Sequence, residues 1–152
     1  MKPSPVAALA WTGAAVVLVA GCVAPARTSP DYEQKATSTA EAAVSAARTA
    51  VVAARAYADD RMPATYLEPV LVDTEETLDS VASTFDSVQP PAAGNADEVR
   101  DELDPLLQDA SSAATEMRIA ARRGRPDALA AAVDDLAHTA DELNAFAQAH
   151  GP

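Results

Sequence analysis

The chain has 152 residues with 23 acidic and 11 basic side chains, a formal net charge of −12, and that balance argues against nucleic acid as a partner, because phosphate binding needs a net basic surface. The one cysteine excludes intrachain disulfides and multi-cysteine metal sites. Few aromatics and abundant Ala leave room for one domain with a modest core.

The first element is a leader. Lys2 is followed by a charge-free apolar run from Val6 to Ala20, shorter than the roughly 20 residues a membrane-spanning helix needs and interrupted by Gly13. Small residues Ala20 and Gly21 then precede Cys22, so that Leu18, Val19, Ala20, Gly21 and Cys22 resemble the lipobox of bacterial lipoproteins. The resemblance implies a signal peptide over residues 1–21, cleavage before Cys22, and a lipid on its sulfur that anchors the chain to the extracytoplasmic face of the cell membrane. Nine Arg against two Lys, with so much Ala, is the composition associated with high-GC actinobacteria. Two or more acyl chains, at ~0.8 kcal/mol per buried CH2, would hold such a protein at the bilayer. Residues 22–28 form a tether of at most ~20 to 25 Å, and residues 29–150 form the domain.

That domain reads as helix throughout. Ser29 is placed to cap the first helix with Pro30 at N1, and the apolar stripe Ala40, Ala43, Val44, Ala47, Val51, Ala54 and Ala58 follows helical spacing. After a break over Asp59 to Pro63, the stripe Leu67, Leu71, Thr74, Leu78, Val81, Phe85 and Val88 alternates steps of four and three; Pro63 and Pro69 compete for its N1 position. Gln89 to Gly94 closes it. Asn95 and Glu98 then form a capping-box pattern ahead of Val99, Leu103, Leu106, Ala110, Ala113, Met117 and Ala120, with Pro105 expected to kink or restart the helix. Gly124 ends it as C′ residue, and Pro126 opens a fourth helix with the stripe Leu129, Val133, Leu136, Ala140, Leu143 and Ala147. The expected fold is all-α, an antiparallel up-down-up-down four-helix bundle, with the second and third helices contributing most of the hydrophobic stabilisation.

Four groups of side chains have chemical interest. Arg118, Arg122, Arg123 and Arg125 crowd one helix end and suit an anion site; the alternative is that they complement the helix dipole and pair with acids at the start of the second helix. Glu68, Asp73, Glu75, Glu76, Asp79 and Asp86 give the second helix an acidic face, suited to a basic partner or to solubility. Asp134, His138 and Glu142 fall at i, i+4 and i+8, a donor set chemically suited to a zinc-like ion, yet offset from the apolar seam and so expected to face water. Tyr57, Met62, Tyr66 and Met117 belong near the Arg end, as a small pocket or as lids over the core.

Nucleophile-elbow, Walker and zincin patterns are absent, and His138 and His150 are the only imidazoles. The expectation is therefore a non-catalytic, lipid-anchored envelope protein, without cofactor or resident metal, that interacts with an envelope protein partner through the exteriors of the second and third helices. The alternative is a small-ligand or metal-binding lipoprotein that uses the Arg end or the Asp134, His138, Glu142 stripe.

Overall fold

The computed structural model describes residues 28–151 apart from residue 93; the expected leader, Cys22 and the expected tether as far as residue 27 lie outside the described residues. Four helices and no strands are found there: α1 (Ser29–Ala58), α2 (Ala64–Asp86), α3 (Ala96–Arg122) and α4 (Pro126–His150). None is long and apolar enough to cross a membrane.

Local chemistry sets the helix ends, with some differences from the sequence expectation. Thr28, not Ser29, caps α1: its backbone is extended and its Oγ1 accepts from the Asp31 N–H at 3.3 Å. Pro30 then stands one residue deeper, still within the first turn, where a missing N–H leaves no ladder bond unmade. Pro63 is the N-cap of α2, and Pro69 lies inside the helix. The capping box at Asn95 is not formed, because Asn95 sits at φ −96° and ψ 16° and not in the extended geometry from which its side chain reaches the N2 or N3 amide. Asp97 and Glu98 still place negative charge on the first turn of α3.

α3 runs through Pro105 without restarting. Burial there passes from Leu103 to Leu107, leaving Leu106 half-buried, so the core register steps by four where a step of three was expected. Ala58, the last residue of α1, is exposed.

α1 and α3 end in the same way. In α1 the Asp60 N–H donates to Tyr57 O and the Arg61 N–H to Ala56 O; in α3 the Gly124 N–H donates to Ala121 O and the Arg125 N–H to Ala120 O. Both are Schellman closures with a left-handed C′ residue, Asp60 at φ 55° in one and Gly124 at φ 59° in the other.

The core is one cluster drawn from all four helices. Its large side chains are Leu67, Leu71, Leu78 and Phe85 of α2, Val99, Leu103, Leu107 and Met117 of α3, and Leu129, Leu136, Leu143 and Phe146 of α4. α4 thus contributes as much bulk as α2 or α3, contrary to the expectation that those two dominate. α1 differs, burying mostly Ala, with Tyr32, Val44 and Val51 as its bulky members. Small side chains let a helix approach its neighbours closely, and α1 packs on α2, α3 and α4, whereas the backbones of α2 and α4 stay more than 8 Å apart. The buried hydroxyls of Thr37, Thr74 and Thr139 all donate to carbonyls, of His150, Val70 and Asp135 respectively.

Candidate functional site

Arg118 and Arg122 stand one turn apart on α3, so they share a face. Arg118 Nε donates to Glu75 Oε2 in a pair whose side chains are only 23% and 16% exposed. Arg122 Nε lies 3.3 Å from Glu68 Oε1, and that pair is more than half exposed. Arginines of α3 thus meet acids of α2, the arrangement that the ion-pair alternative described. Such an exposed pair contributes little to stability, whereas in the sheltered Arg118 pair the removal of one partner would leave an uncompensated charge away from water. The second oxygen of Glu75 is buried and accepts no hydrogen bond. Arg123 and Arg125 occupy the exposed α3–α4 turn and make no ion pair among the described residues.

Between these pairs lies a cleft of about 220 Å³ lined by Tyr57, Ala64, Leu67, Glu68, Leu71, Arg118, Ala121 and Arg122. Leu67 and Leu71 are its apolar floor, and the guanidiniums form one wall. Of the four residues placed near this end from sequence, only Tyr57 lines it. Met117 is wholly buried in the core, Met62 packs against the core, and Tyr66 is 65% exposed. Tyr66 turns outward because it precedes the buried Leu67 by one residue, about 100° around the helix.

The other acids of α2 remain outside. A shallow groove on its outer face is lined by Thr65, Glu68, Pro69, Val72, Asp73 and Glu76, and Val72 is 37% exposed. On α4, His138 is 76% exposed and reaches Glu142 at 3.5 Å, while Asp134 is exposed. Among the described residues no three His, Cys, Asp or Glu side chains gather into a group that could hold a metal ion.

At the other end of α3 the structure assembles polar contacts that sequence reasoning missed. Arg100 Nε donates to the Tyr32 hydroxyl at 3.0 Å and its Nη2 to the Val88 carbonyl at 2.6 Å, with the guanidinium 5.7 Å from the centre of the Phe85 ring. Tyr32 and Phe85 are themselves in ring contact at 5.4 Å. The bond that Arg100 donates to the Tyr32 hydroxyl is the main cause that holds the Arg100 pKa above its ordinary value. One turn on, Asp104 has a buried oxygen without a hydrogen-bond partner, and burial raises its carboxyl pKa; Arg100 opposes the rise, while Asp86 and Asp101 add to it. His150 Nε2 lies 3.1 Å from Glu102 Oε2, and its ring contacts Phe146 at 4.4 Å. A signal for part of this was present: the α1 stripe carries back through Ala36 to Tyr32 at steps of four, and both are fully buried.

Comparison of the chain with protein-family models, curated proteins and solved structures finds no match.

Proposed function

We propose that the chain is a bacterial cell-envelope lipoprotein, anchored through lipid on Cys22 to the extracytoplasmic face of the membrane, whose helical domain is a non-catalytic interaction module. The domain is an antiparallel up-down-up-down bundle in this proposal. Cross-helix pairs support that arrangement, since Thr37 and Arg48 of α1 meet His150 and Asp141 of α4 in reverse chain order, and Glu68 and Glu75 of α2 meet Arg122 and Arg118 of α3 likewise. The observation that carries the interaction reading is the outer face of α2, where exposed Val72 lines a groove with Glu68, Asp73 and Glu76, Tyr66 is exposed to one side, and the helix has no basic residue. An exposed apolar side chain beside the acids Asp73 and Glu76 suits a basic envelope partner, because complementary charge steers encounter and apolar contact slows release.

Two measurements test the proposal. In cells fed a labelled fatty acid, the Cys22→Ser chain should carry no label; label that persists on it removes the anchor. Cross-linking in intact cells should recover one dominant envelope protein, lost when Asp73 and Glu76 are changed to Asn and Gln; recovery unaffected by that change removes α2 as the contact surface.

A further inference from the structure

The cleft at the Arg118 end has features that ion pairing alone does not require. Both guanidiniums meet their carboxylates through Nε, and the Nη groups of Arg118 and Arg122 make no other hydrogen bond among the described residues. Arginine has five N–H donors in a planar fork, so one carboxylate on the Nε side leaves the outer edge able to take a second. The Tyr57 hydroxyl, from a third helix, makes no hydrogen bond among the described residues either. The same cleft is lined by the apolar side chains of Leu67, Leu71, Ala64 and Ala121. Donors without acceptors beside an apolar floor match an amphipathic ligand that supplies the acceptor.

Size and charge narrow its class. A volume of about 220 Å³ is below the ~300 to 1,000 Å³ of clefts that take drug-sized molecules, so the ligand is small. Glu68 lines the cleft and Glu75, just outside the lining, pairs with Arg118, so two carboxylates already offset the two arginines and the added negative charge must be low. A dianion such as inorganic phosphate would meet both acids and gain nothing from the leucines. We propose that this cleft binds a small monocarboxylate with a short apolar body, its carboxylate on the outer edges of Arg118 and Arg122 and its body over Leu67 and Leu71.

The test uses the full chain in a nonionic detergent, with benzoate as the probe in saturation-transfer NMR. Benzoate should give a saturable signal with a Kd of about 1 to 10 mM, the range a contact this small sustains, and butyrate should compete with it. Arg122→Gln, which alters a mostly exposed side chain, should weaken binding about fivefold or more, since an exposed charge-assisted contact is of order 1 kcal/mol. Ala64→Trp should abolish binding by filling the mouth from an exposed position, and Arg123→Gln, outside the lining, should change it by less than about twofold. Benzyl alcohol binding as well as benzoate would overturn the carboxylate assignment. Phosphate displacing benzoate at equal concentration would overturn it in favour of a general anion site. An unsaturable signal, or one unchanged in Ala64→Trp, would overturn the site itself.

Discussion

Arg100 joins three helices through one side chain. Its stem rises from α3, its two donors reach Tyr32 on α1 and the carbonyl of Val88 just beyond α2, and its charge lies over Phe85. Hydrogen bonds that involve a charged group contribute about 1.5 to 3 kcal/mol, and an aromatic face beneath a cation about 0.5 to 1 kcal/mol more. Arg100→Gln should therefore lower unfolding stability by about 2 to 4 kcal/mol in a denaturant titration, and Tyr32→Phe by about 1 kcal/mol. A loss below 0.5 kcal/mol in Arg100→Gln would show that solvent replaces these bonds. Asp104 has the opposite sign. Its folded pKa is raised above the ordinary 3.8, so its ionised form works against the fold. The fold gains stability as pH falls through the raised value, and the gain is complete below 3.8. Asp104→Asn should then be more stable than the parent at neutral pH, with the difference closing as the pH falls below that value. A difference that persists in acid would assign the effect to packing and not to charge.

At the scale of the helix, α1 and α3 offer a matched comparison. The same Schellman closure is built once around Asp60 and once around Gly124, at nearly equal positive φ. A left-handed C′ position strains a side chain with a Cβ and leaves glycine unstrained, and no atom lies within 4 Å of a Cβ built on Gly124. The strain of a Cβ in the left-handed conformation is therefore the difference between the two ends. Asp60→Gly should stabilise by about 0.5 to 1 kcal/mol and Gly124→Ala should destabilise by about 1 kcal/mol, read as opposite shifts of the urea midpoint. Gly94 is another case, with φ 105° and Ser29 Oγ only 1.9 Å from where its Cβ would stand, so a side chain there would be strained in its backbone and would force the Ser29 side chain at the start of α1 to move.

For the whole molecule, packing is set by the contrast between one alanine-lined helix and three that carry bulk. α1 fits against all three others because its buried face is mostly Ala, and the long diagonal between α2 and α4 is the consequence. Ala47 is fully buried in that face. Enlarging it to Leu should cost about 1 to 3 kcal/mol through overpacking, even though Leu favours helix as well and buries more apolar area. A stability gain in Ala47→Leu, measured by thermal unfolding, would mean that α1 can move outward freely and that close approach does not limit the core.

The sequence by itself determined the four helices, the breaks at Asp59 and Gly124, and nearly all of the α2 and α4 stripes, because helical period and turn residues are local properties of the chain. The proposed anchor rests likewise on a local pattern, the resemblance of Leu18 to Cys22 to a lipobox, and not on the fold. Only the tertiary structure decided that Leu107 and not Leu106 enters the core, that Arg118 finds Glu75 and Arg122 finds Glu68, and that Arg100 reaches Tyr32 and Val88. Those partners lie 43, 68 and 12 residues apart for Arg118 with Glu75, Arg100 with Tyr32 and Arg100 with Val88. Their meeting depends on how the helices rotate and slide against one another, and that is set by the summed fit of buried side chains, which no single segment contains.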